Sequence, residues 1–418
     1  MDRQTLKQLK FYINLNFLIL STKTMQMHLT GKMKTTKAVL SFLLACTVFP
    51  SLAQDNSRNK ALITSVPFLA LTPDSRSGGI GEAGVALSGD VYSAFWNPAR
   101  LAWAEKPMAA ALSITPWLQA LGITDMYIGN LAGYKKIRKQ DAIGITFNYF
   151  AHGKMTLTDI NGYVIQDVNP NEVSVGVTYS RQLSKKLSVG VTPKFFRSDL
   201  LGGANIAGPN FTTQPVNSVC VDLGALWKTE MDISGTPSIL SLGASISNFG
   251  PNITYGDASL RNTIPTMIRI GGALTTEADP YNRFTFTVDA SKLAVPTPGS
   301  KNEKANWMSG FFSSFYEAPG GASEKLSEII LSGGVEYWYD NLLAVRAGYF
   351  NEAKDKGNRK FVTFGAGLRY QKFGVDMAYI VGQGQLNPLN NTLRFSIMVE
   401  FDNASKPEES IDSGAETP

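Results

Sequence analysis

The chain has 418 residues, with 39 Lys or Arg, 34 Asp or Glu, two His and two Cys, and a formal net charge of +5. The first 53 residues hold seven of the basic residues and one acidic residue, which leaves 32 basic and 33 acidic residues for the rest. The apparent basicity therefore gives no support for nucleic-acid binding. Cys220 is the single cysteine after residue 53, so we expect no intrachain disulfide, no cysteine-rich metal site and no cofactor.

The N-terminal region is interpreted as a secretory signal peptide at residues 33–53, preceded by an upstream extension at 1–32 from an early start codon. A basic start, a short apolar core and the small residues Ser51-Leu52-Ala53 give the signal peptide its pattern. The apolar core is too short to span a bilayer. A lipoprotein signal with Cys46 lipidated is the alternative, but the apolar run continues past Cys46, so simple cleavage is preferred.

Residues 54–104 contain a glycine-rich stretch, GGIGEAGVALSGDVYSAFWNPARLAW, from Gly78 to Trp103. Its GxGxxG spacing suggests a dinucleotide site, which requires a buried strand before the glycines. Residues 72–77 are turn formers instead, so we reject that interpretation. We interpret the stretch as a plug, or hatch, in the lumen of a membrane barrel. Its structural residues are predicted to be Gly81, Gly84, Asp90, Asn97 and Pro98.

Residues 105–401 show short strands of alternating character. In the last strand, Leu393, Phe395 and Ile397 lie on one face, and Arg394 and Ser396 lie on the other. The apolar faces carry large residues, whereas the opposite faces carry mainly Gly, Ser, Thr and Asn. A soluble barrel needs bulky residues inside, so this asymmetry favours a membrane barrel with its apolar face toward lipid.

Fourteen strands are predicted, centred near residues 111, 129, 145, 177, 191, 223, 243, 270, 287, 334, 346, 366, 377 and 397. Long and short connections alternate, as in outer-membrane barrels, and an even strand count is expected to return both termini to the periplasm. Pro193 does not fit a closed barrel, so we expect a bulge or an early strand end there. Residues 402–418 are predicted to form a disordered periplasmic tail.

Catalytic chemistry is not expected. His152 is the only histidine after residue 53, it lies on a predicted loop, and no GxSxG motif accompanies it. Asp222, Asp289 and Asp376 fall on lumen-facing positions, where acids commonly line a wet interior. Cys220 is expected to point inward and to be inert.

The predicted loop from Ser291 to Leu326 is the longest and is rich in aromatic residues. Asn306 is expected to cap a helix that Pro319-Gly320-Gly321 ends. Two interpretations stay open: the helix packs over the barrel mouth, or its aromatic face binds a protein partner outside the cell. The residues at helical spacing are Trp307, Met308, Phe311, Phe312, Phe315 and Tyr316.

The hatch stretch, with Asn97-Pro98-Ala99, resembles the N-terminal hatch of FadL-type outer-membrane proteins, a family of fourteen-stranded barrels. PDSRSGGIGEAGVALSGDVYSAFWNPARLA, SNFGPNITY and the aromatic loop that ends in APGG more closely resemble the PorV family. The similarity runs from about Leu62 to Phe401. Among these features, the long loop in combination with the hatch favours the PorV family.

This resemblance implies an outer-membrane protein of the type IX secretion system, without catalysis and without a metal. It implies binding of secreted proteins by their C-terminal signal domains, and transfer from the SprA/Sov translocon to the PorU attachment complex. Outer-membrane lipid and lipopolysaccharide are further implied partners, and any link to lipopolysaccharide deacylation would be indirect. The alternative function is a FadL-like transport channel for hydrophobic small molecules.

Overall fold

The structure is a computed structural model. It describes residues 61–402, with gaps at 203, 205–206, 209–210, 213, 256–261, 303–304 and 384–388. The predicted upstream extension, the predicted signal peptide and the predicted tail beyond Asp402 lie outside the described residues.

Within the described residues, fourteen antiparallel strands close a barrel, and two small hairpins lie outside its wall. Each predicted strand centre falls inside a different wall strand, so the predicted fold class is confirmed. The wall strands are β1 Met108–Pro116, β2 Tyr127–Lys136, β3 Asp141–Ala151, β6 Asn171–Gln182, β7 Leu187–Asp199, β10 Val216–Ile233, β11 Thr236–Phe249, β12 Met267–Glu277, β13 Asn282–Leu293, β14 Ile329–Tyr339, β15 Leu343–Asn351, β16 Lys360–Tyr370, β17 Phe373–Gly382 and β18 Thr392–Phe401. The hairpins are β4 Met155–Thr158 with β5 Val164–Val168, and β8 Ala207–Gly208 with β9 Phe211–Thr212.

Helices are short. None of those among the described residues has the length and apolar character that a membrane crossing requires. The α-helices are α1 Ser75–Gly78, α2 Ser93–Trp96, α3 Trp307–Ser313 and α4 Gly321–Ser327, and 3-10 helices span Pro67–Ala70, Pro98–Trp103 and Gln119–Leu121.

The wall has an apolar outer face. In β18, Leu393, Phe395 and Ile397 are 39, 39 and 54% exposed, whereas Arg394 and Ser396 are buried. The same alternation of exposed and buried residues recurs in β3 and β6. The exposed apolar face is the one that contacts lipid in an outer-membrane barrel. The seam that closes the barrel pairs β1 with β18, from Met108–Phe401 to Ile114–Phe395.

Connections alternate in length around the barrel. The β16–β17 turn holds two residues, 371–372, whereas the β13–β14 connection runs from 294 to 328. Short turns face the periplasm in outer-membrane barrels and long loops face outward. We therefore refer to the two ends as periplasmic and external.

Pro193 lies inside a continuous strand, so the predicted bulge or strand end is wrong. Its register with β10 is unbroken, with Pro193 opposite Val221. The pairs between β6 and β7 pass from Gly176–Lys194 to Tyr179–Val191 without a change of register. The missing N–H of Pro193 therefore interrupts the pairing with β6 only locally, and the strand continues on both sides of it.

The N-terminal segment fills the lumen from the external end to the periplasmic end. At the external end Val66 and Phe68 pack with Ile264 of the β11–β12 loop, and the Ser65 N–H donates to the Thr263 carbonyl at 2.9 Å. At the periplasmic end Ala104 packs in a cluster with wall residues that include Ala109, Tyr134 and Met398. The described chain therefore begins at the external mouth, and the expected periplasmic position of the N-terminus falls on residues outside the described range.

Candidate functional site

The hatch glycines allow close contact with the wall. Gly81 has φ of +72°, and a Cβ there would lie 2.6 Å from the backbone nitrogen of Tyr349. Its own N–H donates to Thr363 Oγ1 at 2.8 Å. The Gly84 N–H donates to Asp289 Oδ2 at 2.7 Å, and a Cβ on Gly84 would lie 2.4 Å from the Trp96 ring. These glycines serve packing between hatch and wall.

Asn97 and Pro98 fit against two wall glycines. The Asn97 side-chain amide donates to the carbonyls of Val85 at 3.0 Å and Ala225 at 2.9 Å, and its oxygen accepts from the Ala99 N–H, which caps the following 3-10 helix. A Cβ at Gly224 would lie 2.1 Å from Asn97 Oδ1, and one at Gly190 would lie 2.4 Å from the Pro98 carbonyl carbon. The two wall glycines therefore leave the space that Asn97 and Pro98 occupy.

Asp90 holds two arginines of the hatch. Its carboxylate accepts from Arg76 at 2.9 Å and from Arg100 at 3.2 Å. The guanidinium groups of Arg76 and Arg100 supply the positive charges that a carboxylate inside the lumen needs as partners. Asp90 is therefore a fixed negative charge inside the hatch.

The ion pairs continue from the hatch into the wall. Arg76 donates two hydrogen bonds to Glu336 of β14, at 3.0 and 2.7 Å. Arg346 of β15 bridges Glu336 and Asp376 of β17, each at 2.7 Å, and Arg369 of β16 donates to Asp376 at 2.7 Å. We call this set the lumen ion chain: Asp90, Arg76, Glu336, Arg346, Asp376 and Arg369.

The lumen-facing acids predicted to line a wet interior are buried and bonded instead. Asp222 pairs with Lys194 at 2.7 Å. One Asp289 oxygen accepts from the hatch amides of Gly84 and Val85. Dry packing of the hatch against the wall requires such partners, because a buried charge without a partner is costly.

The external loop contains two helices rather than one. The Asn306 side chain accepts from the Ser309 N–H at 2.9 Å and caps α3 as predicted. The predicted stop at Pro319-Gly320-Gly321 is wrong, because α3 ends at Ser313 and Gly321 begins α4. Gly321, at the start of α4, has φ of +68°, a left-handed backbone conformation that glycine adopts without strain.

The six predicted loop residues divide into two groups. Trp307 and Phe311 pack on Phe249 at the end of β11. Their ring centroids lie 4.8 and 5.0 Å, respectively, from that of Phe249. Phe311 also contacts the rings of Phe312 and Phe315, at 5.3 and 5.6 Å. We call the other four residues, which are 47, 58, 50 and 71% exposed, the exposed aromatic surface: Met308, Phe312, Phe315 and Tyr316.

Glu328 fastens the loop to its surroundings. It pairs with Lys292 of β13, with Lys325 at 3.3 Å and with Lys356 of the neighbouring loop at 3.5 Å. It also accepts from the Thr297 hydroxyl at 2.6 Å. Burial alone would raise the pKa of Glu328, but the hydrogen bonds from Lys292 and Thr297 outweigh it and lower that pKa from its ordinary value.

His152 is held by Glu172, with Nε2 3.0 Å from Oε2, and its ring packs on that of Phe150 at an angle of 44°. The Ser198 hydroxyl donates to the other Glu172 oxygen at 2.6 Å, so the carboxylate lies between the serine and the histidine and the order differs from a Ser-His-Asp triad. Cys220 is buried beside aliphatic and aromatic residues. In the described part of the chain, no group of three or more His, Cys, Asp or Glu is placed to hold a metal ion.

The sequence interpretation missed Arg76, Arg100, Glu336 and Arg346. Glu336 and Arg346 occupy inward positions of alternating strands, a signal that could have marked them as buried charges. Arg76 and Arg100 lie among the small residues of the hatch, where an arginine is unexpected without an acidic partner.

The chain is similar to one family model and to several solved barrels. The family model, described as "Type IX secretion system protein PorV", matches residues 53–300, more than half of the chain. A Pseudomonas aeruginosa FadL homologue is 13% identical, with 79% of this chain and 99% of that one covered and a TM-score of 0.44. The Pseudomonas putida toluene transporter TodX is 11% identical, with 78 and 98% covered and a TM-score of 0.45. The monoaromatic hydrocarbon channel CymD is 14% identical, with 79 and 98% covered and a TM-score of 0.44. No curated protein sequence matches the chain.

Proposed function

The chain belongs to the family of the type IX secretion system protein PorV, and we propose that it captures secreted proteins on its exposed aromatic surface. The protein is an outer-membrane component of that secretion system. In the proposed role it binds cargo by the C-terminal signal domain. It receives cargo from the SprA/Sov translocon and passes it to the PorU attachment complex.

The observation that carries the proposal is the exposed aromatic surface. Phe312 and Tyr316 are 58 and 71% exposed at the external end of the barrel. Clusters of aromatic side chains that are exposed to water mark protein interaction sites. Aromatic residues supply most of the binding energy in such sites. The exposed aromatic surface lies on the side of the long loops, above the membrane, where lipid does not cover it.

The surface is also held in place, which favours binding because little ordering is needed on contact. Phe311 joins it to Phe249 of the wall. Lys325 donates to the Ser314 carbonyl at 2.8 Å, so α4 supports the end of the aromatic helix. The hatch meanwhile fills the lumen, which suits a receptor that must not leak.

Transport of hydrophobic small molecules is the competing function, and a cavity between hatch and wall bears on it. Leu69 and Phe95 of the N-terminal segment line the cavity together with Lys194 and Asp222 of the wall. The cavity has room for about one water molecule, and its charged lining does not suit an apolar ligand. This cavity is therefore not itself a site for an apolar molecule.

The test is a double substitution, Phe312→Ser with Phe315→Ser, in the full chain expressed in its own cells. Gentle isolation from outer membranes should recover at least about tenfold less signal-domain protein, since central aromatic residues contribute about 2 kcal/mol or more each. The matched control is Ile160→Ser with Tyr163→Ser, on the tip between β4 and β5, where both residues are exposed. Equal recovery from the first variant and the wild type would refute capture by this surface. Bound apolar lipid without any protein partner would favour the channel.

A further inference from the structure

One sector of the periplasmic rim is strongly basic. It comprises the β2–β3 and β6–β7 turns with the adjoining strand ends, residues 135–141 and 181–187, which are close in the barrel order β2-β3-β6-β7. Asp141 is the one acidic residue in these two ranges. It is buried, 3.7 Å from Arg138 and 3.6 Å from Arg181. The basic residues are Lys135, Lys136, Arg138, Lys139, Arg181, Lys185 and Lys186.

The charge is not a general property of the rim. The β12–β13 and β14–β15 turns, with their flanking residues, carry Glu277, Asp279 and Asp340 against a single cation, Arg283. The periplasmic end therefore has a basic sector and an acidic sector. An anionic partner would be attracted to one side of the barrel.

Two of the cations lie on the lipid-facing surface. Lys135 pairs in register with Ile143, and Ile143 pairs with Tyr179, so the three share one outward row. Ile143 and Tyr179 are 42 and 40% exposed. Arg181 follows Tyr179 on the same face, with its side chain 47% exposed. A row of cation, aliphatic residue and tyrosine at the end of the apolar band is typical of the headgroup level of a membrane.

The turns also expose apolar side chains among the cations. Ile137 and Leu183 are 50 and 57% exposed, and Leu187 is 37% exposed. These residues continue the lipid-facing wall, where Ile145 and Val177 are 56 and 55% exposed. An apolar surface that runs into a basic one matches a phospholipid, whose acyl chains and phosphate lie in the same order.

We propose that this sector binds an anionic phospholipid of the periplasmic leaflet. Lys135 and Arg181 hold the headgroup phosphate from the side of the wall, and Lys139, Lys185 and Lys186 add attraction from the turns. The acyl chains lie along Ile143, Ile145 and Val177. Lys136 is not part of the headgroup site, because its ammonium donates to the Ala104 carbonyl at 3.0 Å.

The test uses the purified full chain in a neutral detergent, titrated with phosphatidylglycerol or with phosphatidylcholine of the same acyl chains, and read by native mass spectrometry. We expect phosphatidylglycerol to be retained in preference to phosphatidylcholine. Lys135→Gln with Arg181→Gln should weaken its retention about 25-fold, because each cation near an anionic membrane contributes about 1 kcal/mol, or about fivefold in affinity.

A charge-matched control removes two cations from other sectors of the rim, Arg283→Gln with Lys372→Gln, and should bind as the wild type does. If Arg181→Gln disturbs folding through Asp141, the turn variant Lys139→Gln with Lys185→Gln and Lys186→Gln still tests the proposal. Equal retention of the two lipids by the wild type would overturn it. Lipid binding that appears only after removal of residues 403–418 would also overturn the proposal, because the acidic tail would then occupy the basic sector in the wild type.

Discussion

Phe311 packs edge-to-face on Phe249, with ring centroids 5.0 Å apart and an angle of 69° between the rings. One ring belongs to the external loop and the other ends a wall strand, so the position of the loop depends on the barrel. Phe311 is only 9% exposed. The packing interpretation therefore holds for Phe311, whereas partner binding by the exposed residues of the cluster stays a prediction.

Removing the wall side of this contact should release the loop and leave the barrel folded. Phe249→Ala is expected to weaken loop docking by about 3 kcal/mol, because two loop rings lose their partner. Limited trypsin digestion should then cut faster within 294–328. Phe364→Ala, on the lipid-facing wall where Phe364 is 52% exposed, is the control. Unchanged digestion of the Phe249 variant would show that the aromatic contact does not hold the loop.

Loop docking should weaken in acid because of Glu328. The pKa of this carboxyl is lowered in the folded protein from an ordinary 4.5, so its stabilising effect is complete above that value and is lost as pH falls through the folded pKa. Hydrogen exchange at 305–316, corrected for intrinsic rates, should be constant from about pH 8 to 5 and rise below about pH 4. In Glu328→Gln the acid-dependent rise should disappear. A rise of the same size in that variant would assign the effect to another group.

The lumen ion chain should contribute strongly to barrel stability. Glu336→Gln leaves Arg76 and Arg346 without their shared anion, and breaking a buried pair costs about 3–5 kcal/mol. The temperature at which the folded band converts on electrophoresis in dodecyl sulfate should fall markedly. Asp402→Asn breaks an exposed pair with Lys106 and should shift it little, since such pairs contribute about 0–1 kcal/mol. Similar shifts in the two variants would contradict a special role for the buried chain.

A methyl group at Gly348 should displace the hatch. A Cβ there would lie 2.1 Å from the nitrogen of Gly81 and 2.2 Å from the carbonyl carbon of Ile80. We expect Gly348→Ala to conduct ions in planar bilayers, while the wild type stays closed. Gly129→Ala is the matched strand variant, because its Cβ would meet only the Tyr149 oxygen at 4.0 Å. A closed Gly348 variant would mean that the hatch adapts without moving from the wall.

The start of the hatch should be accessible from outside the cell. An epitope inserted before Ala61 should bind antibody on intact cells, because Ser65 bonds to Thr263 of an external loop. The same epitope between Asp340 and Asn341, in a periplasmic turn, should bind only after the outer membrane is opened. The reverse pattern would invert the orientation assigned to the barrel.

The strands could be predicted because membrane barrels impose a strict period of two on residue size and polarity. Leu393, Phe395 and Ile397 show it without any knowledge of their neighbours. Pro193 could not be judged in this way, because its effect depends on which neighbouring strand its missing N–H would have met.

The charge pairs of the lumen were beyond sequence analysis, because the partners are far apart in the chain. Arg76 and Glu336 are separated by 260 residues. Part of the loop could be predicted, because Asn306 is a local cap signal and marks the start of α3. The division of the aromatic cluster depends on Phe249, a residue distant in sequence, and no local pattern could reveal it.

The seam between the first and last strands has a consequence for assembly. Ser396 of β18 lies 3.0 Å from Ser113 of β1 and also accepts from the Ser75 N–H of the hatch at 3.0 Å. Arg394, its near neighbour on β18, pairs with Glu82 of the hatch at 2.7 Å. In a barrel without the hatch these groups would face water in an open lumen. The N-terminal segment thus adds bonds to the last strand beside the seam, so that loss of the hatch should loosen barrel closure as well as open the lumen.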